Sequence, residues 1–120
     1  MRNEINAKER EKYNSDVAVR NKIFEQSLKK NYGITLDQRQ EISRKQGNRC
    51  AICKIHEMEY QERQIKRGGK QTKVLSVDHD HHTGKIRQLL CHNCNLGLGN
   101  FQDDLNLLTE AVEYLKKHLA

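Results

Sequence analysis

The four cysteines constrain this chain more than any other feature of its sequence. They form two Cys-x-x-Cys pairs, Cys50 with Cys53 and Cys91 with Cys94, and none is left over. Each motif lets one turn of backbone supply two thiolates, and two motifs complete the tetrahedral set that a structural Zn²⁺ takes. Two disulfides or a redox-active pair are the alternatives, but neither explains two identical motifs in a chain expected to keep its thiols reduced. The spacing predicts a zinc site made of four cysteine thiolates.

Zinc would supply stability that the composition does not. Of the 120 residues, 35% are hydrophobic and 32% are charged, which allows one small core. Structural zinc contributes on the order of 10 kcal/mol to folding, as much as the whole stability of a small domain. We therefore expect a single domain over residues 1–120, with little core between residues 50 and 95, where zinc replaces it.

The chain also shows no sign of a membrane span or of export. It contains no apolar run long enough to cross a bilayer, and its charged start is unlike a signal peptide. These features predict a cytoplasmic protein that is not secreted and has no membrane partner.

Charge is distributed unevenly along the chain. Residues 1–32 hold eight basic and five acidic groups, residues 33–77 hold ten and five, and residues 78–120 hold four and six. The net charges are +3, +5 and −2, so the basic surface belongs to the first two thirds. Such an excess suits a polyanionic partner, and solubility is the alternative. Basic residues around Gly68-Gly69 predict an exposed turn suited to phosphate contacts.

Local patterns predict helices around two short strands. Thr35 and Gln38 form a capping box, and Gly33 and Gly47 are helix stops. Residues 55–72 are interpreted as a loop or loose hairpin. The expected elements are helices at about Asn3–Lys30 and 36–46, strands at Val74–Val77 and Lys85–Leu90, a short helix near Asn93–Gly97, and a last helix from Asp103 or Asp104 to about His118.

Leucines and a valine recur at steps of three and four along the last helix. The stripe consists of Leu105, Leu108, Val112, Leu115 and Leu119. It predicts a helix face packed on the body of the domain. A dimer seam is the alternative, although about two heptads is short for a coiled coil.

The polar segment between the strands carries the chemistry. Asp78-His79-Asp80-His81-His82 places two acids and three of the six histidines in five residues. A carboxylate holds a hard divalent cation, and an imidazole takes a proton from water near neutral pH. Neighbours on a strand point to opposite faces, so Asp78 and His79 can grip a substrate from two sides. Hydrolysis of a phosphodiester needs that arrangement.

One carboxylate does not hold a cation firmly, so a second ligand is needed. Asn95 follows Cys94 directly, and its amide oxygen suits a hard cation. The zinc would then clamp the helix bearing Asn95 against the strand bearing Asp78. The alternative is that Asn95 merely caps a helix.

These residues resemble the HNH (His-Me finger) nucleases, and within them the phage recombination endonuclease VII family. The resemblance covers roughly residues 30–118. It rests on Tyr32-Gly33-Ile34-Thr35, Cys50-Ala51-Ile52-Cys53, Val77-Asp78-His79-Asp80-His81, Thr83-Gly84-Lys85-Ile86-Arg87, Leu89-Leu90-Cys91-His92-Asn93-Cys94-Asn95 and Gly97-Leu98-Gly99. The 37 residues between the knuckles include a longer basic insertion than the shortest members carry.

The resemblance implies a fold and a role for each matching residue. The fold is α+β and mainly helical, with a zinc-stapled ββα-metal core at 48–100 between N-terminal helices (1–47) and a C-terminal helix (101–120). Asp78 and Asn95 would bind a catalytic Mg²⁺ or Mn²⁺, and His79 would be the general base. His81 would assist at the scissile phosphate, and Arg87 would contact DNA or steady the transition state.

The activity implied is metal-dependent cleavage of double-stranded or branched DNA, leaving 3′-hydroxyl and 5′-phosphate ends. The source would be a phage or a bacterium, and a homodimer is open. A non-catalytic zinc-knuckle DNA-binding protein, a ribonuclease and a Holliday-junction resolvase are the alternatives. At single residues, Arg87 can instead pair with an acid, Asp80 can orient a neighbour or face solvent, and His82 and His92 are expected to be exposed.

Overall fold

The computed structural model describes residues 17–68 and 74–119, which form five helices and a two-stranded sheet. In chain order these are α1 (Val17–Tyr32), α2 (Leu36–Lys45), α3 (Glu57–Lys66), β1 (Ser76–His79), β2 (Ile86–Leu90), α4 (His92–Asn100) and α5 (Leu105–Lys117). The mainly helical α+β class is confirmed. No helix within the described ranges is long and apolar enough to cross a membrane. The start of the predicted N-terminal helix lies outside these ranges, as does part of the basic turn.

Local signals fix the first two helices. α1 ends before Gly33, whose φ is +69°, a conformation that glycine adopts without a Cβ penalty. The hydroxyl of Thr35 accepts from the backbone N–H of Gln38 at 3.1 Å, and the Gln38 amide oxygen accepts from the Thr35 N–H at 2.8 Å. The capping box predicted for α2 is therefore confirmed.

The prediction of a loop or loose hairpin over residues 55–72 is wrong for Glu57–Lys66, which is helix α3, and residues 69–72 lie outside the described ranges. Its cap is unusual: His56 Nδ1 accepts from the Met58 N–H at 3.1 Å, whereas Ser, Thr, Asp and Asn are the usual capping residues. Acidic residues fill its first turn and basic residues its last, which suits the helix dipole. Its sparse apolar residues hid the helical period.

The two strands form an antiparallel pair with an irregular register. Ser76 pairs with Leu90 and Val77 with Leu89, but His79 pairs with Ile86. Two residues of β2, Arg87 and Gln88, therefore oppose Asp78 alone, which is the arrangement of a β-bulge. The predicted strand at Val74–Val77 begins two residues later, at Ser76.

The core joins the strands to α1, α3 and the first cysteine knuckle. Its buried apolar members in the described ranges are Leu28, Cys50, Tyr60, Leu75, Val77, Leu89, Leu90 and Cys91. All but Leu28 fall between residues 50 and 91, so the expectation of little core in that segment is wrong. Cysteine ligands and the residues beside them pack as apolar groups in their own right.

The amide of Gln46 links the end of α2 to β2 and the first knuckle. Its Oε1 accepts from the Leu89 N–H at 2.7 Å, and its Nε2 donates to the carbonyls of Leu89 at 3.0 Å and Arg49 at 2.7 Å. The Ala51 N–H donates to the same Leu89 carbonyl at 3.0 Å. These bonds hold the knuckle beside the strand pair.

Helix α5 does not pack its apolar stripe as predicted. Leu105 is 77% exposed and Leu115 is 65% exposed, and Val112 and Leu119 are exposed as well. Only Leu108 of the stripe is half-buried. The period of the stripe correctly predicted a helix, but the expectation that this face joins the core is wrong.

Arg39 is a buried charge that ties four elements together. It is 2% exposed and donates to Glu57 at 2.8 Å and to the Leu75 carbonyl at 3.0 Å. Its guanidinium lies 5.4 Å from the centre of the Phe24 ring, and Glu57 also accepts from the Leu75 N–H at 3.0 Å. The network connects α1, α2 and α3 to the chain entering β1.

Replacing Arg39 by methionine is expected to lower the free energy of unfolding by about 3 kcal/mol, because it leaves Glu57 and a buried carbonyl without their partner. Urea unfolding measures the change. Arg44→Met is the matched control, since its exposed pair with Glu41 lies on the same helix and such exposed pairs add little to stability. Equal effects of the two substitutions would contradict the structural role of Arg39.

Candidate functional site

The four cysteine side chains converge at one point. Cys50 and Cys53 lie in the loop after α2, and Cys91 and Cys94 lie at the start of α4. Their sulfur atoms are all within 4.8 Å of one another, and Sγ of Cys53 is 3.7 Å from Sγ of Cys91. A tetrahedral zinc with bonds of about 2.3 Å places its sulfurs about 3.8 Å apart. The predicted four-cysteine cluster is confirmed, and it can hold a structural metal such as zinc.

The backbone prepares one of these thiols for metal. Burial acts to raise the pKa of Cys50, but the backbone N–H groups of Cys91, Cys53 and Ile52 outweigh it and lower that pKa to about 6. Burial raises the pKa values of Cys91 and Cys94. Since a metal binds thiolates, uptake must expel protons from the second pair, and affinity must fall with acid.

Asp78 and His79 are the last two residues of β1 and differ in their surroundings. Asp78 is 7% exposed, whereas His79 is half-buried. The His79 ring centre is 5.8 Å from that of Tyr32, at the end of α1, and 4.8 Å from that of His81. Two rings therefore flank the imidazole and leave part of it open to solvent.

Arg87 holds Asp78 through both carboxylate oxygens. Its Nε donates to Oδ2 at 2.6 Å and its Nη2 to Oδ1 at 3.1 Å, a bidentate pair. The same Nη2 donates to Asp103 at 3.1 Å. These hydrogen bonds raise the pKa of Arg87, and the bond to Asp78 has the larger effect. The bulge of β2 brings Arg87 opposite Asp78. Arg87 therefore pairs with an acid, which was the alternative to a contact with DNA.

Asn95 lies in α4, which packs against β1. Its side chain is exposed, and its N–H donates to the Cys91 carbonyl at 3.0 Å. The N-cap of α4 is Cys91, four positions earlier, so the interpretation of Asn95 as a helix cap is wrong. The cysteine cluster thus begins the helix that carries Asn95 beside the strand that carries Asp78.

The remaining polar residues of the loop have separate tasks. Asp80 Oδ1 accepts from the N–H groups of His82 at 2.8 Å and Thr83 at 3.1 Å, and the Thr83 and His82 bonds lower the pKa of Asp80. Asp80 therefore shapes the turn, which Gly84 completes with a φ of +73°. His81 is exposed beside His79, and His82 and His92 are exposed as expected.

Two neighbours of the site have no role in the sequence-based predictions. Tyr32 belongs to the family-like run Tyr32-Gly33-Ile34-Thr35 without an assigned function, yet the centre of its ring lies 5.8 Å from that of His79. Asp103 was a candidate cap for α5, but Asp104 caps that helix. Asp103 instead adopts a φ of +53° and pairs with Arg87. One helix needs only one N-cap, so the second of two consecutive aspartates was available for a different contact.

One protein-family model matches most of the chain. The model of the recombination endonuclease VII family matches residues 25–117, which include the cysteine cluster, both strands and α4. The chain belongs to the recombination endonuclease VII family. The matched segment contains every family residue discussed above.

Two phage proteins are similar to this endonuclease VII family member. The chain is 41% identical over 87 residues to the Gene 59 protein of Mycobacterium phage D29, covering 72% of this chain and 46% of that protein. It is 42% identical over 85 residues to the Gene 59 protein of Mycobacterium phage L5, covering 70% and 44%. The chain thus spans less than half the length of these relatives. No solved structure matches it.

Proposed function

We propose that this chain is a zinc-stapled, metal-dependent DNA endonuclease of the HNH type. In this proposal β1, β2 and α4 form the ββα-metal core, over residues 48–100 of a single domain. One observation carries the proposal: Asp78 and His79 are consecutive residues of β1, and α4 packs against that strand. Membership of the recombination endonuclease VII family supports it.

His79 is the proposed general base. Its partial exposure allows a water molecule to reach the imidazole, and the rings of Tyr32 and His81 restrict how the imidazole turns. A positioned imidazole can remove a proton from attacking water. His81, exposed beside it, is proposed to assist at the scissile phosphate.

Asp78 and Asn95 are the proposed ligands of a catalytic Mg²⁺ or Mn²⁺. Carboxylate and amide oxygens are the hard donors that such ions take, and when bound the cation stabilises the leaving oxygen. The zinc cluster fixes the start of α4 and thereby the position of Asn95. The donor set fits, although Asp78 is occupied by an internal partner.

Arg87 would have to release at least one oxygen of Asp78 if a cation used the lone pairs that now accept its hydrogen bonds. Asp103, already 3.1 Å from Nη2, retains Arg87 nearby when the bidentate pair opens. We propose that the released guanidinium then contacts a DNA phosphate or the developing charge on the reacting phosphate. Asp103 acts on the reaction through Arg87.

The proposed substrate is DNA, double-stranded or branched. The net positive charge of +6 favours approach to the phosphate backbone.

A single centre cuts one strand, so cutting both strands requires a dimer or two events. A homodimer through the exposed stripe of α5 is part of the proposal. Glu110 and Glu113 precede Lys116 and Lys117 on that helix, so antiparallel pairing brings opposite charges together.

The ends of the products test this mechanism. Wild-type protein is expected to nick labelled duplex DNA with Mg²⁺ or Mn²⁺, and DNA ligase should reseal the nick because the ends are 5′-phosphate and 3′-hydroxyl. A matched RNA duplex serves as the parallel substrate. Binding without nicking would support a DNA-binding protein, and cleavage of RNA alone would support a ribonuclease; either result contradicts the proposal.

A further inference from the structure

A cleft of about 430 Å³ opens between the first knuckle, α3 and the start of α4. Its volume falls in the range of ligand sites in proteins, roughly 300–1,000 Å³. Three cations, Lys54, Arg63 and Arg67, line it against one carboxylate, Glu59. None of the chemistry proposed above uses these residues.

The two arginines are arranged to face one ligand. Arg63 and Arg67 are four positions apart, at the end of α3, and therefore share a face of the helix. Arg63 pairs with Glu59 at 2.8 Å, but both side chains are at least half exposed, so this pair costs little to exchange. Arg67 makes no ion pair within the described residues. Arginine forks are suited to phosphate oxygens.

Tyr60 forms part of the wall of the cleft but offers no polar group to a ligand. It is 4% exposed, and its hydroxyl is closed off from solvent. The cations Lys54, Arg63 and Arg67 are therefore the groups that an anionic ligand in the cleft would meet.

We infer that this cleft binds a backbone phosphate of DNA at a point away from the scissile bond. Asn93 lines the cleft, and Asn95 follows two residues later on the same helix, which places the two side chains on opposite sides of α4. The cleft thus anchors DNA without touching the reacting atoms. That the ligand is DNA rests on the proposed function. The contact between the cleft and a backbone phosphate is separate from those of the proposed catalytic residues.

The alternative is that these cations neutralise the cluster of thiolates. Four thiolates around one zinc leave a net charge of −2, and Cys53, Cys91 and Cys94 also line the cleft. In that case removing the arginines weakens zinc binding and leaves the affinity of zinc-loaded protein for DNA unchanged. If the cleft is a phosphate site, removing the arginines lowers the affinity for DNA and leaves zinc binding unchanged.

The test is a salt titration of DNA affinity with zinc-loaded protein and no other divalent cation. Wild type, Arg63→Gln/Arg67→Gln and the control Arg44→Gln/Lys45→Gln bind a labelled duplex at several NaCl concentrations. The control removes the same charge and one exposed ion pair from α2. The slope of log affinity against log salt should fall by about 0.9 in the cleft variant, since one phosphate is no longer neutralised, and remain unchanged in the control.

Equal slopes for the two variants would overturn the inference, as would lost zinc with unaltered DNA affinity in the cleft variant. Cleavage separates this result from the proposed function. The cleft variant should retain the wild-type rate on saturating DNA with Mg²⁺ or Mn²⁺ and need more DNA to reach it. If the variants and the wild type give the predicted slopes but the wild type never cleaves DNA, the phosphate site is supported and the proposed endonuclease activity is contradicted.

Discussion

Replacing Cys91 by alanine is expected to unfold the chain and abolish binding of one zinc per protein. Cys91 begins α4 and is also buried in the core at 5% exposure. Loss of structural zinc removes on the order of 10 kcal/mol, which matches or exceeds the stability of a small domain. Circular dichroism and metal analysis of the purified protein measure the two losses together.

His92→Ala is the matched control for this experiment. His92 is the next residue and is exposed, so the substitution should leave one zinc bound and the helical signal intact. A strong chelator should bring the wild type to the state of Cys91→Ala. A fully folded Cys91→Ala protein that resists chelators would contradict the view that metal clamps α4 to the strands.

Replacing His79 by alanine is expected to slow DNA cleavage by roughly 10²–10⁴-fold, the contribution of a positioned general base. The fold and zinc should be retained, because the His79 ring is half-buried and its neighbours are the side-chain rings of Tyr32 and His81. The rate of a single turnover on saturating duplex DNA measures the loss, and anisotropy should show unchanged DNA affinity.

His82→Ala is the control, because His82 lies in the same loop and is exposed. Its cleavage rate should stay within about threefold of the wild type, since a solvated side chain makes no contact with the proposed reacting groups. If the two histidine variants cleave at the same rate, His79 is not the base. If His79→Ala instead loses zinc, the residue is structural.

Sequence reasoning succeeded where a short pattern determines the local structure. Gly33 ends α1 and Thr35 with Gln38 starts α2, because each motif satisfies backbone groups within a few residues. The cysteine spacing works in the same way: each Cys-x-x-Cys forms one turn, and the cluster follows once the two turns meet. Asp78 and His79 fall in β1 because the apolar run before them predicts a strand, although the strand begins at Ser76 and ends at His79.

The failures occurred where a side chain acts on a distant part of the chain. Arg39 reaches Glu57 across eighteen positions, and Arg87 reaches Asp78 only because β2 bulges. Neither contact produces a periodic pattern of residues from which it could be predicted. The stripe of α5 shows the complementary limit, since a helical period predicts an apolar face but not what covers it. α3 was missed because its cap is a histidine and its apolar residues are few.

The most direct test of the central claim is the conversion of supercoiled plasmid by zinc-loaded wild-type protein with Mg²⁺ or Mn²⁺, beside zinc-loaded His79→Ala. The wild type is predicted to produce nicked or linear DNA only when the divalent cation is added, and His79→Ala is predicted to bind the plasmid and leave it supercoiled. Plasmid that stays intact with the wild type under every metal tried, although the protein is folded and binds DNA, would contradict the account.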